Sequence, residues 1–280
     1  SPTWTVRMEG CSDVVIRNLR QICHQQNSDG IDPYSCRNVL IEGVFLRNYD
    51  DNVVVKTLRD GQPSEGIVTR GGTFIADHGT ALKCGYNETL GPPIRDIVFE
   101  DCDVLSSRGR ALGVLLNGPS SIERVRYENI RVEEPLVNPS HGQEGEPPAP
   151  TFIELLIRKG NAYLANYTPG HIHGVVFREI TCRSRPDQPP PVIALSGLSE
   201  TSSIAEVTFD QVTLDGELIV AEHPALRVGQ GAYNLRFRAR DGDRPGMHLR
   251  AEPLPAPVQP AEPPLPAPEP ELSADGAIVF

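Results

Sequence analysis

Three polar clusters near the start of the chain contain the residue types that acid–base chemistry requires. In chain order they are Asn27 with Asp29, Asp50 with Asp51, and His78. Asp29 and Asp51 are 22 residues apart, and Asp51 and His78 are 27 residues apart. Because the chain repeats at nearly this length, we expect the three carboxyl groups and the imidazole to stack on one face. Three carboxyl groups and an imidazole placed together can donate and accept the protons of a hydrolysis reaction.

The repeat consists of short segments in which apolar residues alternate with polar ones. Their central residues are Val15, Leu40, Val68, Val98, Arg126, Val176, Thr208 and Arg236. Successive steps are 25, 28, 30, 28, 50, 32 and 28 residues, and we interpret the step of 50 as two turns, with the skipped strand at Thr151 to Ile157. Repeats of this length indicate a solenoid, and the β-branched, period-two pattern favours strands over helices. The sequence therefore predicts an all-β fold, a single-stranded right-handed parallel β-helix with coils about 4.8 Å apart.

The composition argues against two classes of function. The net charge is −11, whereas a nucleic-acid-binding surface is expected to be basic, so no nucleic-acid partner is expected. The chain contains no apolar run of about 18 residues, so no membrane partner is expected either. The aromatic content of 6% predicts a narrow core built mainly of Val, Ile and Leu.

The chain divides into a repetitive part and a proline-rich part. We predict a β-helix domain over residues 1–250 and a tail or linker, expected to be disordered, over residues 251–280, which hold nine of the 27 prolines. The chain enters a repeat almost at once and shows no signal peptide, which favours a fragment lacking its N-terminal coils over a mature form. We expect a monomer that is secreted or periplasmic, and a cytoplasmic location stays open.

The six cysteines do not form a metal-binding pattern. Cys11 and Cys36 are 25 residues apart and precede equivalent apolar pairs, so we expect them to be neighbours in adjacent coils. A ladder of small buried side chains is the favoured interpretation, and a disulfide or a metal ligand is the alternative. Because no Cys-x-x-Cys spacing occurs, we expect neither a metal nor another cofactor.

Several motifs resemble those of glycoside hydrolase family 28, the polygalacturonases, and to a lesser degree the family 49 dextranases of the same clan. The matching runs are Ser1 to Val6, Asn27 to Pro33, Ser35 to Ile41, Asp50-Asp51 and His78-Gly79. The resemblance implies a pectin-lyase-like β-helix that hydrolyses O-glycosidic bonds of a polysaccharide, such as cell-wall pectin, with inversion at the anomeric carbon. It also implies that Asp50 is the general acid, that Asp29 and Asp51 activate water, and that His78 tunes the acid and positions the sugar.

The sequence departs from this family where a uronate carboxylate would be bound. Gly113 and Leu115 occupy the positions at which the family has an arginine and a lysine. A different cation could replace them, or the sugar could be neutral, so unsubstituted polygalacturonan is not the expected substrate. The candidate substrate-binding residues are Asn27, Lys56, Lys83, Arg110, Arg158 and Tyr163.

Two function classes stay open at this point. The favoured one is an inverting glycoside hydrolase with a carbohydrate substrate and altered specificity. The alternative is a non-catalytic β-helix, either a carbohydrate-binding protein or a surface protein, in which the aspartates only cap turns. A polysaccharide lyase is disfavoured because no calcium-binding carboxylates are in register with the three clusters.

Overall fold

The computed structural model describes residues 4–89, 91–139, 148–159 and 167–239, and two short strands in the tail, with the backbone alone at residues 86–89. The described residues form 25 strands and no helix. The strands are β1 Val6–Glu9, β2 Ser12–Arg17, β3 Arg20–Ile22, β4 Ile31–Tyr34, β5 Arg37–Glu42, β6 Phe45–Asn48, β7 Val53–Thr57, β8 Ser64–Arg70, β9 Thr73–Ala76, β10 Thr80–Thr89, β11 Ile94–Ser107, β12 Arg110–Leu116, β13 Ile122–Val132, β14 Thr151–Ile157, β15 Ile172–Cys182, β16 Val192–Ser196, β17 Ile204–Ala205, β18 Thr208–Asp210, β19 Thr213–Leu214, β20 Glu217–Leu218, β21 Leu226–Val228, β22 Ala232–Tyr233, β23 Arg236–Arg238, β24 Glu271–Leu272 and β25 Ile278–Val279. In the part of the chain that is described, no helix could cross a membrane.

Two long parallel sheets run side by side along the stack of coils. Sheet 1 has eight strands in the order β1-β4-β7-β10-β12-β14-β16-β21. Sheet 2 has 15 strands, and its main path is β2-β5-β8-β11-β13-β15-β17-β22. Consecutive neighbours within a sheet are separated in sequence by one strand or more, as expected when the chain winds round and returns one coil further on. The fold is therefore a parallel β-helix, as the repeat predicts.

The eight central residues of the predicted repeat form one row in sheet 2. The register joins Val15 to Leu40, and so on through Val98 and Val176 to Arg236 at the last strand of the row. The interpretation of the 50-residue step is wrong, because β13 pairs directly with β15. Residues 151–157 form β14 in sheet 1, not a strand of sheet 2. The step is a single coil lengthened by insertions on either side of β14.

The core lies between the sheets and contains alternate residues of each strand. In sheet 1, Val53, Leu82, Leu112 and Ile153 form one buried row. In sheet 2, stacked rings form an aromatic ladder with centroids 4.9–5.4 Å apart: Phe99, Tyr127, Phe177, Phe209 and Phe237. Offset stacking at this spacing is favourable, so the ladder stabilises successive coils.

The residues next to the aromatic ladder face outward and form a second row, which we call the charge ladder. Its members, in register from coil to coil, are Arg17, Glu42, Arg70, Glu100, Glu128, Arg178, Asp210 and Arg238. Glu42 is bridged by Arg17 at 2.7 Å and by Arg70 at 2.6 Å. Arg178 bridges Glu128 at 3.2 Å and Asp210 at 3.0 Å. These opposite-charge pairs favour this register over a shifted one, although Glu100 and Glu128 place like charges on adjacent strands.

All six cysteines are free thiols, and four of them are buried. Cys11 and Cys36 are neighbours on adjacent coils, because the amide of Arg37 donates to the Cys11 carbonyl at 2.9 Å. Burial raises the pKa of the Cys36 thiol, which favours its neutral form. The predicted adjacency of the two residues is confirmed, and both are free thiols, with Cys36 buried and Cys11 half-buried.

Most of the predicted tail lies outside the described residues. Within it, β24 and β25 pair antiparallel as a two-stranded sheet. The boundary at residue 250 and the disorder of the tail stay predictions.

Candidate active site

The three predicted clusters lie in turns that lead into adjacent strands of sheet 1. Asp29 precedes β4, Asp50 and Asp51 precede β7, and His78 precedes β10. Backbone hydrogen bonds stack these turns on one another: the Gly30 amide donates to the Asp51 carbonyl at 2.9 Å, and the Gly79 amide donates to the Tyr49 carbonyl at 3.0 Å. The structure therefore brings Asp29, Asp50, Asp51 and His78 together, and we call this group the aspartate cluster.

Gly79 allows the turns of the cluster to approach closely. A Cβ atom at this position would lie 2.4 Å from the Asp50 carbonyl carbon and 2.7 Å from Asp50 Oδ1. Real Cβ atoms do not approach other atoms so closely, so any larger residue would displace the backbone between Asp50 and Asp51, or Gly79 itself. The glycine after His78 therefore has a steric reason, which the sequence motif alone does not reveal.

Asp51 is held as an anion inside the cluster. It is 4% exposed, its Oδ1 accepts the amide of Thr80 at 2.7 Å, and its Oδ2 accepts a hydrogen bond from the Lys83 ammonium. Burial opposes the negative charge, but the ammonium groups of Lys83 and Lys56 outweigh it and lower the pKa of Asp51. Asp51 is thus ionised near neutral pH and has no proton to donate.

Asp29 shows the opposite behaviour, although it is equally buried. The residue is 3% exposed and its Oδ2 lies 3.5 Å from the Lys56 ammonium. Burial, followed by repulsion from Asp51, raises the pKa of Asp29 to about 7 in spite of that ion pair. Asp29 therefore gains and loses its proton near neutral pH, whereas Asp51 stays ionised.

Asp50 is half-buried and lies beside the other two carboxyl groups. Its Oδ1 accepts the amide hydrogen of Asp51 at 3.0 Å. Burial and the charge of Asp51 raise the pKa of Asp50, while Lys83 and His78 oppose the rise. A raised pKa favours the protonated form of a carboxyl, which is the form that can transfer a proton to a leaving group.

His78 is held on two sides. Its ring stacks on Tyr49 with centroids 5.0 Å apart and an interplanar angle of 11°. The side-chain amide of Asn138 donates to the His78 carbonyl at 3.1 Å, and the same nitrogen lies 3.4 Å from Nδ1. An amide donor facing Nδ1 leaves the proton of the neutral ring on Nε2. Asn138 is 2% exposed, and nothing in its sequence context indicated this role.

Asp32 is a fourth carboxyl group near the cluster. It is fully buried, and neither carboxylate oxygen has a hydrogen-bond partner in the structure. Burial raises the pKa of Asp32 well above its usual range, although Lys56 opposes the rise. Asp32 was not among the predicted site residues. It belongs to the Asn27 to Pro33 run, and that motif could have identified it.

Two of the six predicted substrate-binding residues are lysines bound to the cluster. Lys56 pairs with Asp29, and its ammonium also lies 4.7 Å from the Trp4 ring centroid and 5.1 Å from that of Tyr34. Burial opposes the charge of Lys56, yet the surrounding anions, Asp32 first among them, raise its pKa. Because Lys83 likewise pairs with Asp51, both lysines offset carboxylate charge within the cluster.

Of the other four predicted residues, three have contacts or conformations that the structure describes and one lies outside the described residues. Asn27 is exposed and adopts a left-handed conformation, with a φ of 57°, which asparagine tolerates. Arg110 forms an ion pair with Glu154. Arg158 is exposed directly after β14, and its amide donates to the Leu116 carbonyl at 3.1 Å. Tyr163 lies outside the described residues.

No group of three metal-ligating side chains occurs within residues 4–89, 91–139, 148–159 and 167–239. Within the cluster, the Lys56 ammonium pairs with Asp29 and the Lys83 ammonium pairs with Asp51. The carboxyl groups of the cluster have pKa values displaced in different directions, which suits proton transfer to and from a bound substrate or water.

Comparison with known proteins agrees with this geometry. A sequence model of glycosyl hydrolases family 28 matches residues 1–219. The chain is 30% identical over 115 residues to a probable polygalacturonase from Vitis vinifera, covering 38% of this chain and 23% of the relative. It is 28% identical over 119 residues to an endo-polygalacturonase from Pectobacterium parmentieri, covering 40% of this chain and 28% of the relative. These alignments thus span about a quarter of each curated relative.

A solved structure is similar to this fold over most of the chain. The crystal structure of a hyperthermoactive exopolygalacturonase from Thermotoga maritima matches with a TM-score of 0.59 at 20% identity. The match covers 85% of this chain and 50% of that chain. It confirms the predicted right-handed parallel β-helix.

Proposed function

The chain belongs to glycosyl hydrolases family 28, and on that basis we propose that it is an inverting glycosidase with altered substrate specificity. The observation that carries the proposal is the aspartate cluster, in which three carboxyl groups on stacked turns have divergent proton affinities. Carboxyl groups whose environments push their pKa values apart are the usual basis for assigning an acid and a base in one site. The proposed location is secreted or periplasmic, and the proposed partner is a carbohydrate.

In the proposed mechanism, Asp50 is the general acid. Its raised pKa favours the protonated form, which transfers its proton to the glycosidic oxygen as the bond from this oxygen to the anomeric carbon breaks. His78, fixed by Tyr49 and Asn138, lies beside this carboxyl and directs its Nε2 hydrogen away from Asn138. After bond cleavage Asp50 is an anion and must recover a proton from solvent.

Asp51 is the proposed general base. Because Lys83 keeps it ionised, it accepts a proton from the water that attacks the anomeric carbon from the opposite face, which inverts the configuration. Asp29 assists by orienting this water. Below about pH 7 it is mostly protonated and donates a hydrogen bond, and above that pH it becomes a second acceptor.

The altered specificity rests on the cations near the cluster. A desolvated uronate carboxylate needs a cation, because burying it without one costs several kcal/mol. Gly113 and Leu115 cannot supply a positive charge, and the nearby Lys56 and Lys83 already bind carboxylates of the cluster. We therefore expect weak or no cleavage of unsubstituted polygalacturonate.

The test is a glycan panel screened for new reducing ends, with the anomer of the first product followed by proton NMR. Inverted product from at least one glycan supports the proposal, whereas retained configuration overturns the mechanism. Efficient hydrolysis of polygalacturonate would overturn the specificity. Binding without any released reducing end would instead favour the non-catalytic alternative.

The variant Asp50→Asn separates catalysis from binding. Removal of a general acid lowers turnover about 10²–10⁴-fold, and we expect substrate affinity to be retained because the amide preserves the shape of the carboxyl. Turnover close to that of the wild type would eliminate Asp50 as the acid.

A further inference from the structure

One row on the outer face of sheet 1 runs past the position at which a cation is missing. Lys83 of β10 faces Gly113 of β12, and Gly113 faces Glu154 of β14. The Gly113 position thus has a lysine on one side, already bound to Asp51, and a carboxylate on the other. An acidic side chain at this place is the opposite of what binding a uronate requires.

Arg110 lies next to the same position. A Cβ atom on Gly113 would lie 3.5 Å from Arg110 Cδ, so the aliphatic stem of Arg110 passes beside this glycine. Its Nε–H donates to Glu154 Oε2, and the two side chains are 13% and 14% exposed. A cation is therefore present beside Gly113, but its charge is offset by Glu154.

The Arg110–Glu154 pair is close to the proposed catalytic residues. Arg110 faces Thr80 in register, and the amide of Thr80 donates to Asp51 at 2.7 Å. Arg110 is thus two coils from Asp51, a separation of about 10 Å along the stack. An oligosaccharide bound at the aspartate cluster could contact both.

We propose that Glu154 determines specificity by excluding a uronate carboxylate and favouring a neutral sugar beside Gly113. The inference rests on the proposed function and names the class of substrate. A carboxylate entering this place meets the negative charge of Glu154 and finds Arg110 already paired. The hydroxyl groups of a neutral sugar can instead donate to Glu154 and accept from the other N–H groups of Arg110.

The test compares two ligands that differ only in charge: trigalacturonate and its carboxyl-reduced trimer, in which each carboxylate is replaced by a hydroxymethyl group. Binding is measured by calorimetry in an Asp50→Asn background, so that the result does not depend on turnover. With Glu154 intact, the reduced trimer binds more tightly than trigalacturonate. Glu154→Gln removes the competing charge and increases the affinity for trigalacturonate at least about tenfold, because Arg110 can then form a charge-assisted contact.

Two further variants identify the cause of the gain. Adding Arg110→Gln to Glu154→Gln removes the gain, because the cation is then lost. Glu65→Gln is the matched control, since Glu65 pairs with Arg95 at 2.7 Å and with Arg37 at 3.2 Å on sheet 2, and it leaves both affinities unchanged.

Several outcomes would overturn the inference. A folded Glu154→Gln protein with unchanged affinity for trigalacturonate would do so, as would a gain that persists without Arg110. If the Glu154 variants do not fold, the protein with Glu154 intact still decides the question: tighter binding of trigalacturonate, or binding of neither trimer, contradicts the proposed neutral-sugar site. Because the readout is binding, a failure to hydrolyse any glycan bears on the proposed function and not on Glu154.

Discussion

The charge ladder of sheet 2 and the aspartate cluster beside sheet 1 are built by the same stacking of coils, yet Glu42 of the ladder and Asp29 of the cluster, each paired with a cation, have pKa values displaced in opposite directions. In the charge ladder, hydrogen bonds from Arg17 and Arg70 lower the pKa of Glu42. In the aspartate cluster, burial raises the pKa of Asp29 to about 7 even though Lys56 is 3.5 Å away. Burial accounts for the difference between Glu42 and Asp29, whereas at Asp51 the ammonium groups of Lys83 and Lys56 outweigh burial and lower the pKa.

This contrast shows how one repeat can serve two purposes. Exposed ion pairs contribute little free energy each but favour one register between coils. Buried carboxyl groups at the turns have their proton affinities displaced, which is what catalysis by proton transfer requires. The cluster therefore carries an energetic cost that the rest of the solenoid must offset.

The largest effect is expected when an ion pair is broken inside the cluster. Lys83→Met leaves Asp51 buried without its main cationic partner, and removal of one member of a buried pair costs about 3–5 kcal/mol. Arg178→Met, the matched change in the charge ladder, should cost about 0–1 kcal/mol because Arg178 is exposed. Urea unfolding at pH 7 measures both, and equal losses would contradict the contrast between the regions.

An intermediate effect is expected on the pH dependence of stability. Asp29 has a folded-state pKa of about 7, above its ordinary value of 3.8, so the folded protein holds a proton that the unfolded chain releases in that interval. This interaction therefore destabilises the fold as pH rises from about 4 to 7. Asp29→Asn removes the effect, and we expect the variant to gain about 1–4 kcal/mol relative to the wild type between pH 4 and pH 8.

Glu42→Gln is the counterpart in the charge ladder. Because the folded-state pKa of Glu42 is lowered, its ionisation adds stability that is present above its ordinary value of 4.5 and is lost as pH falls through the folded-state value. The variant should therefore lose stability at pH 7 and not at low pH. Unfolding curves at several pH values test both variants. If the free energy of unfolding of the variant minus that of the wild type changed with pH in the same direction for Asp29→Asn and Glu42→Gln, the two pKa assignments would be refuted.

The smallest effect is expected at the support of His78. Asn138→Asp replaces an amide donor by an acceptor, so the contact with the His78 carbonyl is lost and a protonated imidazole is favoured over the neutral ring. On the cleaved glycan, we expect kcat to fall about fivefold, the equivalent of one hydrogen bond of about 1 kcal/mol. The alkaline limb of the pH–rate profile should also shift to higher pH.

Asn234→Asp, on a late coil, is the control for that substitution. It introduces the same charge far from the cluster and should leave the pH–rate profile unchanged. An unshifted profile in Asn138→Asp would mean that Asn138 contributes to stability alone.

The repeat could be predicted from sequence because the strands of sheet 2 share an alternation of apolar and polar residues that recurs at coil spacing. Val15, Val98 and Arg236 were placed in one row by spacing alone, and the structure confirms that row. The step of 50 was misinterpreted because β14 has the same apolar pattern as a sheet 2 strand, although it lies in sheet 1. Spacing identifies strands, but the pattern of a strand buried on either sheet is the same.

The members of the aspartate cluster could be predicted, but their pairing could not. Asp29, Asp51 and His78 recur at coil spacing, which places them in stacked turns. The ion pair between Lys83 and Asp51 depends on burial of both side chains, which a sequence pattern does not encode. Asn138 follows an irregular segment after β13, so no periodicity links it to His78.

The adjacency of the aromatic ladder and the charge ladder has a consequence for how the chain folds. Phe99 is followed by Glu100, and Phe209 by Asp210, so a strand added one residue out of step would expose its ring and bury its charge. Each completed coil therefore favours one register of the next coil over the registers shifted by one residue. A shift in register is therefore unfavourable at the coil where it arises, before the next coil is added.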